Sequence, residues 1–157
     1  LFAEMKLGYI DSNRIMSEFE NVRDIQVELE KEQRKLEAEY NGMISQLDSL
    51  KQIFEKQRLL MSENRRKEKE NELINMERNI QEFQMKKFGP EGEIFRKQSQ
   101  LLAPILEEVD AAIKVVAAQR GYDYVFDAVS GAIVYALEAH DLTDQVLKEL
   151  KNSEKTE

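Results

Sequence analysis

The residues of this chain whose types could support chemistry are few and scattered. His140 is the only histidine, and although Asp141 follows it, no serine or cysteine accompanies it in a nucleophile setting. The chain has no cysteine, which excludes disulfides, thiolate metal sites and cysteine nucleophiles. Asp123 and Asp127 lie four residues apart on a predicted strand and could hold a cation weakly, but a solvated sheet edge explains them more simply. The sequence therefore predicts a protein that is not an enzyme and that binds no metal or cofactor.

Composition points to an elongated helical protein that needs partners. Of its 157 residues 34% are charged, 41% are hydrophobic, and the formal net charge is −8. Most apolar residues have helical spacing, so the compact core is small and oligomerisation would supply the missing burial. An acidic, charge-mixed surface argues against a nucleic-acid partner, because phosphate binding needs a basic stripe.

Apolar residues recur in heptads from Phe19 onward, which predicts a coiled-coil seam. The two series run through Phe19, Gln26, Gln33, Tyr40, Leu47, Phe54 and Met61, and through Val22, Leu29, Leu36, Met43, Leu50 and Gln57. Residues 62–72 contain no apolar side chain, and the pattern then resumes at Leu73. We therefore predict that residues 19–120 form an antiparallel helical-hairpin arm whose tip lies near residues 62–72.

The second half of this arm contains an interruption at residues 88–92 (Phe-Gly-Pro-Glu-Gly). Pro90 removes a backbone donor and the two glycines lower helix propensity, so a break is expected here, with heptads resuming one residue out of phase at Phe95. It is not a phosphate loop, because it follows a helix and precedes no Gly-Lys-Ser/Thr sequence. We predict that Gly89, Pro90 and Gly92 form a hinge and that Pro104 adds a milder bend.

The strand-like segments lie at the two ends of the chain. Met5–Asp11 and residues 122–137 are too few to form separate sheets, so they should pair. Within the second segment, Ser130 and Gly131 predict a hairpin turn into a strand over residues 132–137. Asp11 or Ser12 is expected to cap the first helix, and Gly121 to end the second arm as a C-cap. Residues 141–144 are expected to begin a final helix whose inner face carries Leu142, Val146, Leu147 and Leu150. The predicted fold class is α+β, with residues 1–18 and 121–157 forming a small β-sheet body.

Aromatic and methionine side chains along the arm suit a surface that binds varied apolar partners. The candidates are Tyr40, Met43, Phe54, Met61, Met76, Phe83, Met85, Phe88 and Phe95. The predicted tip also carries a local excess of bases that could attract a partner: Arg58, Arg65, Arg66, Lys67 and Lys69.

The C-terminal third resembles the Skp/OmpH family of periplasmic chaperones. The resemblance is carried by the segments 109–117 (VDAAIKVVA), 121–127 (GYDYVFD), 132–135 (AIVY) and 141–148 (DLTDQVLK), and also by residues 7–11 (LGYID). It implies a jellyfish-like homotrimer whose arms enclose a cavity that holds unfolded outer-membrane proteins without ATP, in the periplasm after removal of a signal peptide. The expected trimer contacts in the body are Leu7, Tyr9, Tyr124, Phe126, Ile133 and Tyr135.

One departure concerns charge. The better-known members of that family are strongly basic, whereas this chain is acidic. Binding to a membrane surface or to lipopolysaccharide is therefore expected to be weakened, with Arg96 and Lys97 joining the tip bases in a reduced version.

Two other functions remain open from the sequence. The first is a passive coiled-coil scaffold or spacer of the cell envelope. The second is a cytosolic prefoldin-like chaperone, in which strands lie between the helices and the chain ends lie at the tips. This chain has the reverse order of elements.

Overall fold

A computed structural model describes residues 4–154 of the chain, and it consists of long helices with a two-stranded sheet. The elements are β1 (Leu7–Ile10), α1 (Ser12–Glu18), α2 (Glu20–Gln57), α3 (Glu63–Phe88), α4 (Glu93–Arg120), β2 (Tyr124–Asp127) and α5 (Thr143–Glu154). Single 3₁₀ turns occur at Arg58–Leu60, Ala128–Ser130 and Glu138–His140. The predicted α+β fold class is confirmed.

The chain divides into two compact units. The body unit comprises residues 4–27 and 100–154, and the hairpin unit comprises residues 28–99. The body unit thus includes residues 19–27 and 100–120, which the sequence analysis assigned to the arm. These residues belong to the body unit because Phe19, Val22 and Ile105 are buried in its core.

In the body unit, the two end segments pair as predicted. β1 and β2 are parallel, with Leu7 opposite Tyr124 and Ile10 opposite Asp127. Parallel neighbours need a long crossover connection, and here the helical region between the strands provides it. On the other side of β1, the Leu142 amide donates to the Tyr9 carbonyl at 2.8 Å.

The predicted strand over residues 132–137 is wrong: this segment is irregular and forms no hairpin. The Asp127 carboxylate accepts the Val129 amide at 3.1 Å, and Ser130 Oγ donates to the Asp127 carbonyl. These bonds close a 3₁₀ turn where a two-residue hairpin turn was expected. Gly131 follows with φ 76°, in the left-handed region.

The core of the body unit is built by helix faces that converge beside the sheet. It contains Ile10, Ile15, Phe19, Val22, Ile105, Val109, Ala112, Val116, Leu142, Val146, Leu147 and Leu150. The last four members confirm the predicted inner face of the final helix.

The predicted ends of the body helices are confirmed in atomic detail. Asp11 caps α1, its carboxylate accepting the Arg14 amide at 3.0 Å. At the end of α4, Gly121 has φ 67°, and the Tyr122 amide donates to the Ala117 carbonyl at 2.9 Å, which is a Schellman cap. One break was not predicted: Phe19 has extended backbone (ψ 121°) and separates α1 from α2 while its side chain enters the core.

In the hairpin unit, α2 runs antiparallel to α3 and the start of α4. Lys51 pairs with Glu77 at 2.6 Å, and Lys97 pairs with Glu28 at 2.9 Å, so partners move backward along one helix as they move forward along the other. Among the described residues of this unit, three apolar side chains are fully buried: Leu36, Leu47 and Ile80. The seam is therefore thin.

The predicted tip needs correction. Helix α2 ends at Gln57, and Ser62 caps α3 by accepting the Arg65 amide at 3.3 Å, so the turn spans residues 58–62. We call this segment the tip turn. Most of residues 62–72 is helical, because an apolar-free sequence rich in Glu, Lys and Arg still has high helix propensity.

Candidate functional site: an apolar surface on the hairpin unit

The predicted break between α3 and α4 is confirmed and is held by short backbone contacts. The Gly89 amide donates to the Met85 carbonyl at 3.0 Å, and the Gly92 amide donates to the Gly89 carbonyl at 2.8 Å. A Cβ atom at Gly89 would overlap the Met85 carbonyl oxygen, and one at Gly92 would lie 2.8 Å from the Lys87 carbonyl oxygen. Glycine is required at both positions by close approach of the backbone. Whether this break flexes as a hinge stays a prediction.

Three aromatic rings join the break to α2. Tyr40 stacks on Phe83 with ring centroids 6.4 Å apart, and Phe88 contacts both rings at 6.5 Å, edge-on to Tyr40. Such ring pairs contribute about 0.5–1.5 kcal/mol each beyond area burial. The last turn of α3 therefore packs against α2 through these rings.

A charged pair spans the same break. Lys87 forms an ion pair with Glu93, and its ammonium lies 5.9 Å from the centroid of the Phe83 ring. The hydrogen bond from Lys87 lowers the pKa of Glu93, assisted by the positive charges of Arg96 and Lys35 and opposed by partial desolvation. Both side chains are partly solvated, so the pair adds little stability.

An apolar surface remains open beside this cluster. Met85 is 67% exposed, and Phe88 is also exposed despite its contacts with the cluster. An open groove of about 470 Å³ is lined by Gln81, Gln84, Met85, Phe88, Gly89 and Pro90. The groove thus combines apolar side chains with two amide side chains that can donate and accept hydrogen bonds.

The nine candidates from the sequence fall into two groups. Three are exposed: Met85, Phe88 and Phe95. Six are half-buried: Tyr40, Met43, Phe54, Met61, Met76 and Phe83. Phe95 lies outside the seam that its heptad phase predicted, and its neighbour Ile94 is the half-buried residue.

Several exposed apolar residues of this unit were missed by the sequence reasoning. They are Leu50, Ile53, Leu59, Leu60 and Ile74. Ile53, Leu59 and Leu60 lie outside both heptad series, and apolar residues at such positions were the signal that could have identified them. Near the tip turn, Leu50, Ile53, Phe54, Met61 and Leu73 surround a small groove of about 70 Å³.

The five predicted tip bases lie in or after the tip turn. Arg58 pairs with Glu55, Arg65 with Glu68, and Lys69 with Glu72. Arg66 and Lys67 form no ion pair with any described residue. Local pairing thus reduces the positive charge of the cluster without removing it.

In the body unit, an apolar surface surrounds the sheet. Of the six predicted trimer contacts, Leu7, Tyr124, Phe126 and Tyr135 are exposed and Tyr9 and Ile133 are half-buried. A groove of about 470 Å³ is lined by residues from β1, β2, the irregular segment 132–137 and His140. Val134 is 97% exposed and Tyr135 is 82% exposed in the isolated chain.

The polar candidates of the body unit serve its structure. Asp123 accepts the Lys6 amide at 2.7 Å, and Asp127 accepts the Ser12 hydroxyl at 2.7 Å.

His140 lies in a 3₁₀ turn, and its Nδ1 atom is buried without a hydrogen-bond partner among the described residues. Within residues 4–154, no group of three or more His, Asp or Glu is placed to hold a metal ion.

Two further observations concern the helices. Pro104 lies inside α4, which continues through it without a break, and the predicted bend there stays a prediction. Among the described residues, no helix combines the length and the apolar character needed to cross a membrane.

Comparisons with known proteins agree with this architecture. A family model described as outer membrane protein (OmpH-like) matches residues 6–150. The chain is 29% identical over 146 residues to the chaperone protein Skp of Yersinia enterocolitica, covering 93% of this chain and 86% of that protein. It is also 29% identical over 123 residues to the chaperone protein Skp of Pectobacterium atrosepticum, covering 75% and 73%.

A solved structure has the same fold. The putative outer membrane chaperone (OmpH-like) from Caulobacter crescentus CB15 superposes with a TM-score of 0.84 at 16% identity, covering 96% of this chain and 86% of that one. The resemblance drawn from the sequence is confirmed, and this chain belongs to the OmpH-like family, whose relatives include the Skp chaperones.

Proposed function

We propose that this protein is an ATP-independent holdase that binds unfolded outer-membrane protein precursors in the periplasm and prevents their aggregation. Its working form is a homotrimer in which helical arms surround the client. The body, residues 1–18 and 121–157, joins the subunits, and the arm, residues 19–120, contacts the client. No catalytic step is part of this function.

The exposed surface at the break carries the proposal. Met85 and Phe88 stand open beside a half-buried aromatic cluster, and flexible or planar apolar side chains can repack around many different partners. Gln81 and Gln84 line the same groove and can hydrogen-bond the unpaired backbone of an unfolded chain.

The homotrimer is supported by the apolar surface of the body unit. Tyr124 and Phe126 stack with centroids 6.4 Å apart, and both are exposed, as are Val134 and Tyr135. Contiguous exposed apolar residues of this kind mark interaction sites in proteins.

An aggregation assay tests the function. An outer-membrane β-barrel protein unfolded in urea is diluted into buffer without nucleotide, and light scattering is followed with and without an excess of the chain. We expect the wild type to suppress scattering and a Met85→Ser/Phe88→Ser variant to lose most of that effect while its sedimentation mass is unchanged. A Gln52→Ser variant, altered at an exposed residue of the same unit beside the Lys51–Glu77 ion pair and away from the break, is the matched control.

Two results would overturn the proposal. Wild-type protein that leaves the client to aggregate at the spontaneous rate is no holdase. Equal protection by the wild type and the double variant would show that Met85 and Phe88 do not form the client-binding surface. Absence of protection from both would favour a passive scaffold.

A further inference from the structure

We propose that Met85 is a site of reversible oxidation, and that its conversion to methionine sulfoxide by hydrogen peroxide weakens client binding at the break. This regulation rests on the proposed holdase function, whose apolar surface contains Met85. Three observations carry it: the exposure of the Met85 side chain, the place of its sulfur in the groove, and the lack of cysteine in the chain.

Methionine is the only residue type of this chain that contains sulfur. The sequence has no cysteine, so no thiol of the same protein competes for an oxidant. Met5 is 62% exposed and Met85 is 67% exposed. The other methionines are half-buried: Met16, Met43, Met61 and Met76. Because peroxide reaches sulfur through solvent, Met5 and Met85 should be oxidised first.

The reaction transfers one oxygen atom from the peroxide to the thioether. A lone pair of the Met85 sulfur attacks one peroxide oxygen, the O–O bond breaks and an S–O bond forms. The proton on the transferred oxygen passes through solvent to the departing hydroxide. The sulfur is thus oxidised by two electrons to the sulfoxide, and the peroxide is reduced to water.

The oxygen would be added inside the apolar surface at the break. A Cβ atom at Gly89 would lie 3.0 Å from the Met85 sulfur, so this sulfur lies close to the backbone of the break. Met85 also lines the open groove together with Phe88 and Pro90. Oxidation therefore alters the surface that the proposed function assigns to the client.

The sulfoxide weakens client binding in two ways. It replaces a flexible apolar group by a polar one, so an apolar client side chain loses a favourable contact. The new oxygen is also a hydrogen-bond acceptor, and the side-chain amides of Gln81 and Gln84, which line the same groove, can donate to it instead of to the client. Loss of one methionine contact of this kind should weaken binding about tenfold.

The fold should tolerate this change. The Met85 side chain is largely in solvent, so its sulfoxide keeps its hydration. Met16 differs, because it packs against the core of the body unit, and a polar oxygen there would disturb that packing. Met5 lies outside the hairpin unit and has the same exposure as Met85 to within a few per cent, which makes it the matched control.

Peptide mass spectrometry without any client tests the modification site. The full chain is treated with hydrogen peroxide, and the sulfoxide at each methionine is followed over time. We expect Met5 and Met85 to be oxidised well before the four half-buried methionines. Circular dichroism at that stage should show unchanged helix content.

Light scattering with an unfolded outer-membrane protein tests the regulation. Catalase removes the peroxide before the client is added, and each protein is compared with itself before and after oxidation. The wild type and Met5→Leu should need about ten times more protein for the same suppression after oxidation. Met85→Leu should keep the protection with which it started. Methionine sulfoxide reductases for both epimers should restore the oxidised wild type.

Three outcomes would overturn the proposal and leave the holdase function in place. They are oxidation of Met85 no sooner than that of the half-buried methionines, undiminished protection by protein that carries the Met85 sulfoxide, and an equal loss of protection by oxidised Met85→Leu. Wild-type protein that gives no protection before peroxide is added would overturn the holdase function, and this regulation with it.

Discussion

Replacement of Gly89 by alanine should destabilise the protein although alanine favours helices. The new Cβ would overlap the Met85 carbonyl oxygen, and it would also lie 3.0 Å from the Met85 sulfur. A side chain could rotate away, but the carbonyl is fixed by the last turn of α3 and already accepts the Gly89 amide. The backbone of the break must therefore shift, and overpacking of this kind typically costs about 1–3 kcal/mol.

Gly42 provides the matched control within the same unit. It lies inside α2, and a Cβ there would meet no atom within 4 Å. Gly42→Ala should therefore stabilise the protein by up to about 1 kcal/mol, since alanine loses less backbone entropy on helix formation than glycine. The same chemical change is thus expected to have opposite signs at the two positions.

Urea unfolding followed by circular dichroism measures both free energies. All variants are compared at one protein concentration, because the stability of an oligomer depends on it. Gly89→Ala that is as stable as wild type, while Gly42→Ala gains stability, would refute the described geometry of the break.

Three further predictions concern the body unit. Gly121→Ala should cost about 1–2 kcal/mol in the same urea assay, because φ is 67° there although the space is open. If the protein forms the proposed homotrimer, Tyr135→Asp should convert it to monomer by sedimentation with helix content retained, since it charges an exposed apolar surface; a trimer of unchanged affinity would contradict this assignment. Burial by itself would raise the pKa of Asp127, but the hydrogen bonds from Ser12 and from the Val129 amide outweigh this effect. The pKa of Asp127 in the folded protein is therefore lowered. The stability this provides is present above the unfolded pKa of about 3.9 and is lost as pH falls below it, so Asp127→Asn should lose less stability than wild type between about pH 5 and pH 3.

Local sequence signals predicted much of the fold because they act over a few residues. Gly121, Asp11 and the Gly89–Gly92 break have conformations that their own chemistry imposes. The pairing of the two end strands also followed from the sequence, since neither could form a sheet by itself.

The errors concern features that depend on surroundings. Residues 132–137 alternate like a strand, but a strand forms only where its backbone finds a partner, and within the described residues this segment has none. The tip was placed in a polar segment, although Glu, Lys and Arg are good helix formers and Ser62 is a strong N-cap.

The sequence predicted which residue types form the candidate surface better than it predicted which of those residues are exposed. The candidates were chosen as aromatic and methionine side chains along the arm, so half-buried residues such as Tyr40 and Phe83 were selected together with the exposed Met85 and Phe88. Leu59 and Leu60 were missed, because the candidates were limited to aromatic and methionine residues and both leucines lie outside the heptad series.

Site-specific photo-crosslinking reports directly where an unfolded client lies on the protein. Benzoylphenylalanine is placed at Phe88, in the exposed surface at the break, and at Glu107, an exposed residue of the body unit. Each variant is mixed with an unfolded outer-membrane protein and irradiated. We expect strong crosslinks to the client from position 88 and weak or no crosslinks from position 107. Equal crosslinking from both positions, or none from position 88, would contradict this expectation.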